Sequence, residues 1–342
     1  MIERSHAVRA ASAVLGALLV VVLAACGERE EPTSGSSPEP ERVDVILDWI
    51  PNADHIGIYA AKAGGQFEQA ALRVRLRTPA TASSPLELLA AGKADLAISY
   101  EPELLLARAK GAKLVAVGAL VQKPLTSLMA IGPHAIGAGE LEGAKVGTAG
   151  LPYQEAYLKT IVDKAGIDPD RVHAIDVGFD LARQMLTKRV DATLGAFWNI
   201  EGVELKRRGK HPRILRMDKV GVPTYNELVV VAREEDVHTR GRMLRRFMQA
   251  LARGTRSARD DPGPGIATLL KAEPDLRPGV VRAQVEATLP VLFPHDEAKP
   301  YGYQDPAAWN AYAEWMVDND LLASPRGANR AFTNEFLPGE GI

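Results

Sequence analysis

From Val43 onward, short β-branched runs alternate with amphipathic stretches of helical length, and no other feature limits the fold as much. Val43–Leu47 reads as a strand, Ile56–Ala70 as a helix and Leu72–Arg77 as a strand. Ser84–Ala91 reads as a helix, opened by Ser83 or Ser84 with Pro85 at its first position and closed by Gly92. Strand Leu96–Ser99, helix Glu103–Lys110 and strand Leu114–Leu120 follow. After a boundary near Ser127–Ile131 the pattern resumes with strand Gly143–Thr148, helix Gln154–Ala165, strand Val172–Val177, helix Asp180–Thr187 and strand Arg213–Arg216. Strands spaced by helices in this way define an α/β fold with parallel sheets.

The order also repeats. Leu86–Ala112 runs helix, GKAD, strand LAIS, then Tyr100 with Glu101, and a second helix. Leu181–His211 runs helix, KRVD, strand ATLGA, then Phe197-Trp198 with Glu201, and a second helix. Read as one unit in each of two lobes, the copies each place an aromatic and a carboxylate just past a strand's carboxyl end, where open α/β sheets bind ligands; an accidental match of common βα patterns is the alternative. An apolar run within Asn226–Ala232 reads as a strand returning to the first lobe, so two crossings would join the lobes and permit hinge closure. The expected lobes are 43–128 with 232–342, and 129–231. Beyond Asp236 the chain is mainly helical, and the Trp309, Tyr312, Trp315 stripe reads as core packing.

Leu47–Tyr59, LDWIPNADHIGIY, concentrates candidate binding groups. Pro51 ends the strand because it has no N–H to donate, and Trp49, Asn52 and His55 share one strand-to-helix turn. The plainer alternative makes Trp49 core and His55 a helix cap.

Arg4 and Arg9 precede the apolar run Ala10–Ala25, which ends LAAC. This is the pattern of an export signal, short for a membrane span. Leu23-Ala24-Ala25-Cys26 resembles a bacterial lipobox, implying cleavage before Cys26 and lipid on its thiol. Residues 26–42 are rich in Glu, Ser, Pro and Gly and read as a disordered tether, placing the folded part outside the membrane.

Cys26 is the only cysteine, which excludes an internal disulfide, a multi-cysteine zinc site and an iron–sulfur cluster. The seven histidines include no HExxH or similar pair, so neither a metal nor a cofactor is expected. A net charge of −2 with scattered Lys and Arg gives no footprint for nucleic acid, and Lys206-Arg207-Arg208 and Arg242–Arg246 read as solvated helix faces. The sequence contains no GxSxG elbow, no GxxxxGK[ST] loop, no GxGxxG after a strand and no Cys–His pair.

Several segments together carry a resemblance: DWIPNADHIGIYAA, GGQF, GKADLAISY, GLPYQEAYLKT and GAFWNIEGVEL. They resemble the thiamine pyrimidine-precursor family, which includes bacterial ABC-transporter binding proteins for formylaminopyrimidine and related eukaryotic pyrimidine synthases. The resemblance spans about Val43 to Ala232 and implies a type II periplasmic-binding-protein fold, with a cleft between two Rossmann-like lobes. It implies ligand contacts from Trp49, Asn52, His55 and Tyr100 in the first lobe. In the second it implies Pro152, Tyr153, Glu155, Trp198, Asn199 and Glu201. The synthases also carry a cysteine-rich iron-binding motif that this chain lacks after Cys26, which favours transport over synthesis.

The implied protein is a lipid-anchored solute-binding subunit that hands an aminopyrimidine to ABC permease and ATPase partners. Aromatics would stack on the ring, Glu201 would accept from the exocyclic amine, Asn52 would donate and accept, and His55 would donate to an oxygen. Riboflavin or a sulfonate as ligand, an exported pyrimidine-processing enzyme using His55, and a sensor subunit are the alternatives. A sulfonate would want a basic cleft, whereas Glu101, Glu155 and Glu201 make this one acidic.

Overall fold

In the first sheet, β1 (Glu41–Ile46) pairs in parallel with β2 (Leu72–Arg77) and β3 (Leu96–Ser99). The last strand of the chain, β10 (Leu228–Arg233), runs antiparallel between β3 and β4 (Leu114–Val121). The order is β2-β1-β3-β10-β4. In the second sheet β6 (Lys145–Thr148) lies parallel between β7 (His173–Asp176) and β8 (Ala192–Phe197), while β5 (Thr126–Ile131) runs antiparallel between β8 and β9 (Pro212–Arg216). Its order, β7-β6-β8-β5-β9, repeats the first sheet's plan, with the antiparallel strand fourth in each. The two copies of the sequence echo fall on β3 and β8, which hold equivalent third places. The computed structural model from which this is read describes residues 40–80, 84–132 and 140–339. The export signal, Cys26 and the tether as far as residue 39 lie outside the described residues.

Helices flank the sheets. In the first half these are α1 (Ile56–Ala63), α2 (Gln66–Gln69), α3 (Ser84–Ala90) and α4 (Glu101–Ala109); α5 (Pro152–Ala165), α6 (Leu181–Leu186) and α7 (Glu201–Arg207) accompany the second sheet. After β10 come α8 (Glu234–Thr239), α9 (Gly241–Asp260), α10 (Gly263–Ala272), α11 (Pro278–Thr288) and α12 (Pro306–Asp318). Every residue of β4 is buried, the near-continuous apolar run of a strand covered on both faces. The single helix expected over Ile56–Ala70 is two, because Gly65 takes a φ of 67° and breaks it after Ala63. The return of α9 onto α1 depends on Gly254, where a Cβ would sit 2.5 Å from the Ala61 backbone nitrogen.

The sheets exchange chain through 122–125, from β4 to β5, and through 217–227, from β9 to β10. The sequence reading put the changes at 128/129 and 231/232. Ser127 and Leu128 instead belong to the second sheet, and Leu228–Val231 to the first. A strand leaving a crossing has the same apolar pattern as one entering it, and pairing partners are not written locally. Glu41 and Arg42, assigned to the tether from composition, pair with Leu72 and Arg73 in β1. Arg240 and Arg246 bond the Glu41 carboxylate and secure this end of the strand.

Candidate functional site

The turn after β1 is built around its polar side chains. Asn52 caps a one-turn 3-10 helix, Ala53–His55, by accepting from the Asp54 N–H at 2.8 Å. The Asn52 N–H donates to His55 Nδ1 at 3.2 Å. With Nδ1 accepting, His55 carries its proton on Nε2 and donates it to Asp48 at 2.8 Å. The other Asp48 oxygen accepts from the Tyr100 hydroxyl at 2.9 Å. His55 is fully buried. It therefore fixes Asp48, which fixes Tyr100, and only Tyr100 of the three lines the space beyond.

That space is a narrow cavity of about 20 Å³ between the sheets, room for little more than a water, so a ring enters it only as the sheets part. Trp49 and Tyr100 wall it from turns after β1 and β3, while Phe197 and Gly195 come from β8. Tyr153 and Gln154 enter from the first turn of α5, Glu201 from α7, Thr126 from the start of β5 and Glu227 from the end of the second crossing. Phe179, in the loop after β7, stacks on Trp49 with ring centroids 5.7 Å apart and planes at 30°, so one ring from beside each sheet meets over the cavity. No lysine or arginine lines it.

Two carboxylates face this cation-free space. Glu201 Oε2 accepts from the Phe197 N–H at 2.7 Å, and burial pushes its carboxyl up to about 7. Glu227 holds the crossings together. Its Oε2 accepts from the N–H groups of Leu125 and Thr126 at 2.7 and 2.8 Å and from the Tyr225 hydroxyl at 3.1 Å, and its Oε1 accepts from the Thr126 hydroxyl at 2.9 Å. Burial outweighs those donors and raises it to about 7 as well. Behind the wall, Glu101 accepts from the Asn226 backbone and side chain, both at 2.7 Å, and burial raises it to about 8.

The sequence candidates therefore divide. Trp49, Tyr100, Tyr153 and Glu201 line the cavity together. Asn52 and His55 are spent on the turn, although Asn52 also borders a neighbouring pocket beneath Trp49. Asn199 is buried and donates to Asp54 at 2.5 Å and to Thr288 at 2.7 Å, tying the second sheet's loop to the first sheet's turn and to α11. Trp198 lies off the cavity, its Nε1 donating to the Pro124 carbonyl at 3.2 Å and its face under the Arg216 guanidinium at 4.3 Å. Its neighbour Phe197 takes the inward position. Glu155 is exposed, 200° around α5 from the inward Tyr153. Pro152 borders an open groove outside the cavity. The sequence reading missed Phe179, Gln154, Thr126 and Glu227. Phe179 follows Gly178, whose φ of 67° marks a turn at a strand end, and Glu227 directly precedes the apolar run of β10.

Two five-stranded sheets of this plan, with a ring-walled cavity between them, define the class. The backbone superposes on the alkanesulfonate-binding protein SsuA of Xanthomonas axonopodis pv. citri with a TM-score of 0.67, over 86% of this chain and 99% of that one at 18% identity. The fold is that of the type II periplasmic binding proteins. The family model described as NMT1/THI5 like matches residues 52–264, and the chain belongs to that family. It is 32% identical to the formylaminopyrimidine-binding protein of Halalkalibacterium halodurans, over 93% of this chain and 96% of the relative. It is 22% identical to 4-amino-5-hydroxymethyl-2-methylpyrimidine phosphate synthase THI11 of Saccharomyces cerevisiae, over 87% of this chain and 88% of the relative.

Proposed function

We propose that this chain is an extracytoplasmic solute-binding protein that captures a thiamine pyrimidine precursor, of the formylaminopyrimidine or hydroxymethylpyrimidine type, for an ABC importer. The observation that carries the reading is the cavity: Trp49, Tyr100, Tyr153, Phe179 and Phe197 supply ring faces, Glu201 and Glu227 supply acceptors, and no cation is present. A flat ring with exocyclic N–H groups buries both π faces against such walls and donates to the carboxylates. A sulfonate would leave both carboxylates facing an anion, so the SsuA likeness extends to fold and not to ligand. The name of the Halalkalibacterium relative supports the same ligand class.

The ligand leaves unchanged. No cysteine or lysine lines the cavity, and His55 is locked behind Asp48 rather than facing it. The lobes close by bending at 122–125 and 217–227, and the chain is held to a bacterial membrane by lipid on Cys26. Calorimetry with formylaminopyrimidine, hydroxymethylpyrimidine, riboflavin and taurine tests the ligand, and chromatography of the same mixtures tests for turnover. Binding confined to the pyrimidines, with no product, is the expected result. Tighter binding of taurine would overturn the ligand assignment, and accumulation of a new pyrimidine would overturn the binding-only reading.

A further inference from the structure

α9 is the longest described helix, and its outward face is a stripe of guanidinium groups. Between Gly241 and Arg259 it carries six arginines and no acid. At 100° per residue, Arg242, Arg245, Arg246, Arg253 and Arg256 fall within about 100° of one another. Met243, Leu244, Phe247, Met248 and Leu251 occupy the opposite, buried side. Arg246 is committed: it bonds the Ala70 and Ala71 carbonyls and Glu41. Arg242, Arg245 and Arg253 are exposed and form no ion pair among the described residues; Arg245 only overlies Phe336. Glu41, the acid that Arg246 reaches, is shared with Arg240.

The first described residue, Pro40, sits next to Glu41, which Arg246 and Arg240 grip. The leader therefore joins the folded body beside the arginine stripe. We propose that this face of α9 docks on the anionic phosphate headgroups of the membrane to which the leader is tethered. The proposal rests on the extracytoplasmic, membrane-held reading above. Thirteen residues, 27–39, separate Cys26 from Pro40, and the steps between them give a reach of at most about 48 Å, so the stripe can touch the surface that holds the lipid. Arginine suits the partner: its planar fork pairs with phosphate oxygens in a bidentate manner and is less strongly hydrated than an ammonium. A helix of 20 residues lying flat presents three free guanidinium groups to such a surface without bending the body.

The test is sedimentation of the chain from Pro40 onward, which contains both sheets and the core, with vesicles of phosphatidylglycerol and phosphatidylcholine mixed, or of phosphatidylcholine alone. Binding to the anionic vesicles, lost in 0.5 M salt and absent from phosphatidylcholine, is the expected result. The triple variant Arg242→Gln, Arg245→Gln, Arg253→Gln should bind at least about tenfold more weakly, with unchanged melting temperature and pyrimidine titration. A matched variant, Arg183→Gln, Arg189→Gln, Lys210→Gln, removes the same charge elsewhere and should bind like the parent. Equal loss in both variants reduces the effect to net charge and overturns the proposal, as does no binding to anionic vesicles. Pyrimidine binding is read on the same samples, so its failure sinks the ligand reading and leaves the docking result standing.

Discussion

Replacing Glu227 by Gln exchanges a buried carboxylate for a neutral side chain of the same shape at the point where both crossings meet. Four donors converge on Glu227 and no cation lines the cavity beside it. Burial nevertheless dominates and lifts the carboxyl from 4.5 to about 7. The native chain thus holds a proton that the unfolded chain releases above about 4.5, so stability from this group is complete below that pH and lost as pH rises through 7. A shift from 4.5 to about 7, at ~1.4 kcal/mol per pH unit, sets an upper limit of about 3 kcal/mol. Gln keeps a carbonyl for the two backbone N–H groups and offers its amide to the Thr126 oxygen, whose hydroxyl can turn to accept. Urea unfolding should therefore find the variant within about 1 kcal/mol of the parent at pH 5, and more stable by up to about 3 kcal/mol at pH 8. Glu227→Ala strands at least three buried donors and should cost about 3 kcal/mol or more at both pH values. A Gln variant less stable than the parent at pH 8, or one with the parent's pH slope, would refute the view that burial outweighs the donors.

Glu201→Ala should weaken pyrimidine binding at least about tenfold by calorimetry, the cost of an unmade hydrogen bond in a closed cavity; an unchanged affinity removes Glu201 from the site. Phe179→Ala breaks the stack on Trp49, worth ~0.5–1.5 kcal/mol, and should raise the ligand off-rate ~3–10-fold with little change in on-rate. Equal rates would mean that the ring pair does not close the cavity. Gly254→Ala drives a methyl into the Ala61 backbone and should cost about 1–3 kcal/mol in chemical unfolding; a neutral outcome would show that α1 and α9 can part without penalty.

The alternation of runs was enough to read the α/β class and the equivalence of β3 and β8, because strand and helix periods are local properties. Trp49, Tyr100 and Glu201 were legible for a related reason: each lies just past a strand's carboxyl end, where the fold aims side chains at the cavity. What lay beyond reach was parity and partnership. Phe197 and Trp198 differ by one position, and only the register of β8 against β5 decides which turns inward. His55 has the chemistry of a ligand contact, but Asp48, seven residues earlier, claims its proton. Asn199 is likewise claimed by Asp54 and Thr288, which are distant in sequence. Glu155 was separable without coordinates, since a helix cannot turn residues two apart toward one cavity. Glu227 left little trace, because its partners Leu125 and Thr126 lie a hundred residues upstream.

The placement of β10 constrains how the protein is made. The first sheet has its fourth strand missing until residue 233 has emerged, since β10 must slot between β3 and β4. Until then β3 and β4 each expose an unpaired edge, and the N-terminal portion has no finished structure to settle into. A polypeptide with this strand order stays unsettled through roughly two-thirds of its synthesis, and its first sheet closes only after every strand of the second has been made.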